Sequence, residues 1–283
     1  MTTTERSSAD STSAEQQRAI RTPSYKSVAL PAEHGSWSLV SEPILLGLLV
    51  APTLAGLTMA VAAFTVFLIN RPLKVYWADR RRGRAYARTA LAMRFVLIFG
   101  AIALVASAIT FALEGWRPFA PFLLAAPLLL IFMAYDQRPG RFWQAELAAP
   151  AAFAAVATAI GMAGGMAWQP ALGLWGFMIA RAVPAIIFVR ARLRLDKGKT
   201  AGPGESIPVT IATHVLAVVG VSALVWIGWL PWTAVLAAVF LLARAIWGLS
   251  EYRWRSSVKA LGFLETAFGT LSVLMVAIGV WLS

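Results

Sequence analysis

The sequence contains no cysteine and only two histidines. Without cysteine the chain has no disulfides, no thiolate metal sites and no cysteine nucleophiles, and two histidines are too few for a histidine-rich metal cage. Charged residues are also scarce. They make up 13% of the 283 residues, whereas a soluble domain carries roughly 25%. Such a chain cannot cover a water-facing surface in the usual way, so a soluble fold is not expected.

Long apolar runs take the place of the missing charge. Hydrophobic residues make up 59% of the chain, and the mean hydropathy is +0.70. A helix needs about 20 apolar residues to cross a bilayer, and in lipid its backbone groups must be paired within the helix. We therefore predict an all-α, polytopic transmembrane bundle of about nine spans. The predicted spans are 36–51, 54–72, 90–112, 118–134, 145–166, 171–190, 208–229, 232–250 and 260–282.

The first 27 residues differ from the rest of the chain. They are polar, rich in Ser and Thr, and contain no apolar core. This composition predicts a disordered cytoplasmic tail over residues 1–27 rather than a signal peptide, which would need an apolar stretch near its start. Residues 28–283 are predicted to form a single transmembrane helical domain.

Lysine and arginine are distributed unevenly along the chain. All but three of the 25 lie in the tail, or in or beside every second connection between predicted spans; the exceptions are Arg117, Arg181 and Arg244. Because cytoplasmic loops are enriched in Lys and Arg, this pattern predicts an N-inside, C-outside, multi-pass protein of the cytoplasmic (inner) membrane. It also accounts for the net charge of +12 without nucleic acid as a partner. Membrane lipids are the expected contacts, and the oligomeric state is left open.

Apart from cations near the span ends, six ionisable side chains fall within the predicted spans, where burial of a charge is costly unless the charge is paired or hydrated. At 1.5 Å per residue they lie roughly 2–14 Å from the cytoplasmic boundary. This predicts a polar cavity open to the cytoplasm; the alternative is that the acids and arginines pair between helices as packing contacts. The candidate general bases or orienting groups are Glu42, Glu146 and Glu265, and the candidate cavity residues are His34, Arg181, His214 and Arg244.

Two predicted inner connections, after spans 2 and 6, combine many cations with few acids. Clustered guanidinium groups bind phosphates well, often through two parallel hydrogen bonds. An isolated carboxylate among them, such as Asp79 or Asp196, could hold a Mg²⁺ ion that bridges phosphate oxygens. The alternative is ordinary positive-inside charge that touches anionic lipid headgroups, worth about 1 kcal/mol per residue.

The sequence resembles a known family along most of its length. The segment 31–37 (PAEHGSW), the Glu42-Pro43 pair and the segment 259–265 (KALGFLE) are similar to the YwiC-like bacterial membrane proteins. The similarity extends through the arginine-rich segment after span 2 to Arg192-Leu193-Arg194. This resemblance implies a membrane protein but no particular activity.

The predicted topology also resembles, more loosely, that of the UbiA-type prenyltransferases, which hold a prenyl diphosphate through Mg²⁺ in the connections after helices 2 and 6. Asn70 and Asp79 fall where the first Asp-rich motif would be, and Asp196 with Glu205 where the second would be. The chain has fewer acids there than the family pattern. The resemblance implies phosphate contacts at Asn70, Lys74, Arg82, Arg190 and Arg194, and Mg²⁺ at Asp79 and Asp196.

Three functions remain open on the sequence alone. The first is a membrane-embedded transferase of the UbiA type that acts on a prenyl or other lipid diphosphate. The second is a transporter of an anion or small metabolite, for which Pro43 and Pro184 would mark the helix breaks common in transporters. The third is a non-catalytic membrane subunit.

Overall fold

The computed structural model describes residues 25–30, 35–83, 86–136, 142–198, 202, 206–254 and 257–283. His34, Glu205 and residues 1–24 of the predicted tail lie outside the described residues. A short helix, α1 (Tyr25–Ala29), begins within the segment 1–27. The described part of the chain contains helices and no strands.

Helices follow one another with short connections. In chain order they are α2 (Gly35–Val50), α3 (Leu54–Arg81), α4 (Ala87–Glu114), a 3-10 turn (Arg117–Phe119), α5 (Ala120–Asp136), α6 (Trp143–Phe153), α7 (Ala155–Ala163), α8 (Trp168–Asp196), α9 (Ile207–Trp226), α10 (Thr233–Leu249) and α11 (Val258–Leu282). Each of the nine apolar runs found in the sequence is helical. The all-helical class predicted from hydropathy is therefore confirmed.

Seven helical segments of the described chain are long and apolar enough to cross a membrane. They are Leu54–Arg81, Ala87–Glu114, Arg117–Tyr135, Trp143–Ala163, Trp168–Asp196, Ile207–Trp226 and Val258–Leu282. Trp37–Val50 and Thr233–Leu249 are apolar but shorter. Length and composition thus indicate a multi-pass membrane protein with at least these seven candidate spans.

Two helices run well past the predicted spans, and one predicted span is broken. α3 continues from residue 72 to Arg81, and α8 from residue 190 to Asp196, because Lys, Arg, Leu and Ala in these stretches favour helix. Span five is divided between α6 and α7 at Ala154. Pro150 lies four residues before the break, and a proline inside a helix removes a hydrogen-bond donor and bends the chain.

The chain divides into two compact units. The first comprises residues 1–32 and 66–101, and the second residues 33–65 and 102–283. The core of the second unit is formed by the apolar faces of α2, α8, α9, α10 and α11. Many of its buried positions are alanine, and small residues let helices approach closely in a membrane. Thr158 supports this packing, since its hydroxyl donates to the Ala171 carbonyl at 2.7 Å.

Candidate functional site

Four charged side chains meet inside the second unit. We call them the Arg–Glu quartet: Glu42 on α2, Arg181 on α8, Arg244 on α10 and Glu265 on α11. Arg181 Nη2 donates to Glu42 Oε1 and to the Glu265 backbone carbonyl, both at 2.9 Å. Arg244 Nη2 donates to Glu265 Oε2 at 2.7 Å. The exposed fraction of these side chains is at most 10%, so the quartet is a buried network that joins four helices.

Small and aromatic neighbours make room for the quartet. Gly269 follows Glu265 by one turn of α11, and a Cβ atom added to it would overlap Glu42 Oε1 and Arg181 Nη2. The Arg244 guanidinium lies 4.1 Å from the ring centre of Phe188 and 5.7 Å from that of Phe268. Such cation–π contacts favour a cation that is removed from water. Gly269 therefore leaves space for the Glu42–Arg181 ion pair. The rings of Phe188 and Phe268 pack against the Arg244 guanidinium.

The quartet does not use all its hydrogen-bond donors. Arg181 Nε, Arg244 Nε and Arg244 Nη1 are buried and have no hydrogen-bond partner among the described residues. A cavity of about 10 Å³ lies beside Arg181 and is also lined by His214 and by apolar side chains. A cavity of that volume holds about one water molecule or another particle of similar size. His214 Nδ1 lies 2.8 Å from the Thr210 carbonyl, which can only accept, so Nδ1 carries the proton.

The first unit contains a second feature, which we call the basic recess: a cavity of about 440 Å³ lined by Arg71, Lys74, Asp79 and Arg88. Ser27, Val28, Val75 and Ala78 complete its lining. Arg71 Nε donates to the Ser27 carbonyl at 3.4 Å, and the Arg88 side chain is 45% exposed. Three cations and one acid thus face a space large enough for a phosphate group with part of its substituent.

Asp79 is the only acid of the recess lining, and its side chain is fully buried. Its two oxygens accept from Arg88 Nε at 3.0 Å and Nη2 at 2.5 Å, and Oδ2 also accepts from the Thr89 hydroxyl at 2.8 Å. This two-point geometry is the one that fixes a guanidinium in orientation as well as in place. Asp79 therefore holds Arg88 at the edge of the recess.

Asp196, the second predicted metal ligand, is held in a similar way. Its carboxylate accepts from Arg192 Nε at 2.9 Å and from Arg253 Nε at 3.0 Å. Arg192 also donates to the backbone carbonyls of Gly248 and Trp254. This arrangement ties the end of α8 to the end of α10 and to the segment that follows it.

The carboxylates do not form a ligand set that fits Mg²⁺. Magnesium requires several oxygen ligands in octahedral geometry, but both oxygens of Asp79 and of Asp196 accept hydrogen bonds from arginines. Within the described segments no group of three or more His, Cys, Asp or Glu side chains is placed to hold a metal ion. We therefore derive no step that depends on Mg²⁺.

The remaining predicted site residues are spread over both units. Lys74 lines the basic recess, whereas Asn70 and Arg82 are exposed and are not part of its lining. Glu146 pairs with Arg190 at 3.2 Å, and both side chains are partly exposed. Arg194 is half-buried, beside Gly202.

The sequence analysis did not single out Arg71 or Arg88 as separate candidates. A signal for Arg71 is present in the sequence, because residues 71, 74, 75 and 78 have the i, i+3, i+4, i+7 spacing of one helix face. No comparable signal identifies Arg88, since its place depends on the pairing with Asp79 across a turn. Gly269 also could not be found, because its role comes from side chains on two other helices.

Comparison with known proteins gives one family match. The model of a family described as YwiC-like protein matches residues 30–161, and this confirms the resemblance over that stretch, which excludes Arg192-Leu193-Arg194 and the segment 259–265. The matched stretch includes Glu42 and the described basic segment from Arg71 to Arg88. No curated protein and no solved structure matches the chain.

Proposed function

We propose that this YwiC-like membrane protein binds a phosphate-bearing ligand, of the class of a prenyl or other lipid diphosphate, in the basic recess. The observation that carries the proposal is a 440 Å³ cavity lined by Arg71, Lys74 and Arg88 against the single acid Asp79. With each of these groups in its usual charge state, the lining carries a net charge of about +2, counted as three cations and one anion. A phosphate group would neutralise this surplus.

We expect the recess to lie near the level of the lipid phosphates. α3 has 28 residues and is therefore about 42 Å long, while the hydrocarbon core of a bilayer is about 30 Å thick. Counted from Leu54, Arg71 lies about 26 Å and Lys74 about 30 Å along the helix, so both fall near the edge of the hydrocarbon core, and the residues beyond them extend into the headgroup region. Arginine and lysine side chains at that level bind anionic headgroups.

The finer topology follows the same charge pattern. We place the two shorter apolar helices, Trp37–Val50 and Thr233–Leu249, in the membrane as well, which gives nine spans. The concentration of Lys and Arg in every second connection supports an N-inside, C-outside arrangement in the inner membrane of a bacterium. The basic end of α3 then faces the cytoplasm.

Binding, rather than transfer, is the function that the geometry supports best. A UbiA-type transferase is the finer form of the proposal, but in that chemistry Mg²⁺ neutralises the diphosphate. Here the two candidate metal ligands, Asp79 and Asp196, accept from arginines, and the lining of the recess offers cations as the groups that would contact a phosphate. Ligand binding should therefore not require a divalent metal.

The test uses farnesyl diphosphate as the probe, with farnesol and inorganic phosphate as comparison ligands, and purified full-length protein in lipid nanodiscs. Arg71→Gln and Lys74→Gln should each weaken farnesyl diphosphate binding about tenfold, because a hydrogen bond to a charged group contributes about 1.5 kcal/mol or more. EDTA should leave the wild-type affinity unchanged. Binding of inorganic phosphate alone would identify a free phosphorylated ligand instead of a lipid.

Arg80 provides the matched control. It lies on the same helix, is exposed, and donates to the Tyr76 hydroxyl at 3.1 Å, so Arg80→Gln removes one cation without changing the recess. Unchanged affinity in Arg71→Gln and Lys74→Gln, or an equal loss in Arg80→Gln, contradicts the proposed site. Formation of a prenylated product from farnesyl diphosphate and an aromatic acceptor would establish the transferase instead.

Transport of a small anion is a second candidate, favoured by one observation. The buried guanidinium groups of Arg181 and Arg244 retain N–H donors without partners among the described residues, and Arg181 lines a small cavity. Because the chain lacks cysteine, Cys placed at Ser107 or Ser222 reports accessibility without background labelling. Labelling of either site from outside supports a path that alternates between the two sides, whereas protection of both argues against it.

A further inference from the structure

We infer that the Arg–Glu quartet binds one small monovalent anion together with one proton, the proton being taken up by Glu42. The inference rests on the second candidate function and adds to it the coupling between anion and proton. It concerns only the second unit and is independent of the basic recess. The ligand class is an anion close to water in size, since the cavity has a volume of about 10 Å³.

One arginine of the quartet, Arg181, lines the cavity with a donor to offer, whereas Arg244 is not part of the lining. Arg181 and Arg244 are each 4% exposed, and three of their N–H groups find no acceptor in the described part of the chain. A buried N–H without an acceptor is unfavourable, so these groups attract any small acceptor that reaches them. The Arg181 side chain lines the cavity itself, which makes it the first contact for an entering anion.

The charge balance of the quartet requires a proton. Its two arginines and two glutamates sum to zero when all are ionised. An anion alone would leave a net negative charge in a nonpolar interior, where an uncompensated charge is strongly disfavoured. A proton taken from water by one carboxylate restores neutrality. No other bond forms or breaks.

Glu42 is the carboxylate that this geometry selects. It is the side-chain partner of Arg181, the arginine at the cavity, whereas Glu265 pairs with Arg244. The other groups whose charge acts on Glu42 are Glu265 and Arg244, on α11 and α10. An anion bound to Arg181 would partly neutralise the positive charge that favours the ionised form of Glu42. Glu42 would then take up a proton.

The probe is chloride, added as its sodium salt to purified full-length protein in detergent, against sodium gluconate at equal ionic strength. Gluconate is too large for the cavity. In weakly buffered solution with a pH-indicating dye, chloride should cause uptake of about one proton per wild-type chain, while gluconate should cause none. Chloride binding itself is followed separately by the line width of the ³⁵Cl resonance.

Two variants and one control decide the outcome. Glu42→Gln should still bind chloride but lose the coupled proton uptake, and Arg181→Gln should lose both, with the unfolding temperature measured to exclude loss of the fold. Glu251→Gln is the control, because Glu251 is exposed in the turn after α10. Chloride binding without proton uptake in wild type, or proton uptake that persists in Glu42→Gln, overturns the coupling and leaves an anion site intact. Absence of chloride binding in wild type overturns the anion site as well.

Discussion

Replacement of Gly269 by alanine tests the packing of the Arg–Glu quartet most directly. A Cβ atom at this position would overlap both Glu42 Oε1 and Arg181 Nη2. These atoms form the 2.9 Å ion pair between α2 and α8, so one methyl group acts on both partners at once. Neither side chain can swing into water, because the Arg181 side chain is 4% exposed and that of Glu42 3%.

The expected cost follows from two opposing effects. Breaking a buried ion pair costs about 3–5 kcal/mol, and displacing its partners without removing them should cost about 3 kcal/mol, at the low end of that range. Alanine is favoured over glycine within a helix by about 1 kcal/mol. We therefore expect Gly269→Ala to lower the free energy of unfolding by about 2 kcal/mol, as the difference between these two effects.

Gly262→Ala is the matched control on the same helix. A Cβ atom at Gly262 meets nothing within 4 Å, so this variant should gain about 1 kcal/mol from helix propensity alone. The two alanine variants should then differ by about 3 kcal/mol, or roughly 100-fold in the unfolding equilibrium. Unfolding in mixed micelles with increasing sodium dodecyl sulfate, followed by tryptophan fluorescence, measures this difference. If Gly269→Ala proved as stable as Gly262→Ala, the described approach of Glu42 and Arg181 would be refuted.

Two further substitutions test separate parts of the structure. Asp79→Asn should lower the free energy of unfolding by about 1–3 kcal/mol, because a neutral amide cannot hold Arg88 at both atoms; the unfolding midpoint measures the loss, and an unchanged midpoint contradicts the two-point contact. Gly173→Ala should cost about 1–3 kcal/mol, since its Cβ would lie 2.5 Å from the Trp229 backbone carbonyl. Gly220→Ala, which meets nothing within 4 Å, should show no such loss.

Hydropathy alone was sufficient to predict the helices. Long apolar runs without charge have few structural solutions in lipid, and each predicted run is helical in the structure. The helix ends were less predictable. α3 continues to Arg81 and α8 to Asp196 because residues beyond the apolar core can remain helical in the headgroup region, where hydropathy gives no signal.

The partners of the charged residues could not be obtained in the same way. The depth of a residue along a helix follows from counting residues. This count singled out Glu42, Arg181, Arg244 and Glu265 as internal charges, and all four are buried. Which acid pairs with which arginine depends on how each helix is rotated about its axis and on contacts between residues far apart in sequence. Glu42 and Arg181, for example, are 139 positions apart. The sequence analysis therefore left open a cavity or interhelical pairing, and the described quartet contains pairing beside a small cavity.

The excess of cations over acids connects the two proposed sites. The chain has 25 Lys and Arg but only 13 Asp and Glu, and five of the six acids singled out from the sequence, all those among the described residues, pair with arginine: Glu42, Asp79, Glu146, Asp196 and Glu265. An acid beside so many guanidinium groups is held by them, because a charge-assisted pair is favoured over an isolated carboxylate in a nonpolar setting. Carboxylates engaged in this way are poor metal ligands. The lining of the recess carries more cations than acids, and the quartet holds arginine N–H groups without a partner among the described residues, so an anion is the ligand that we propose for each.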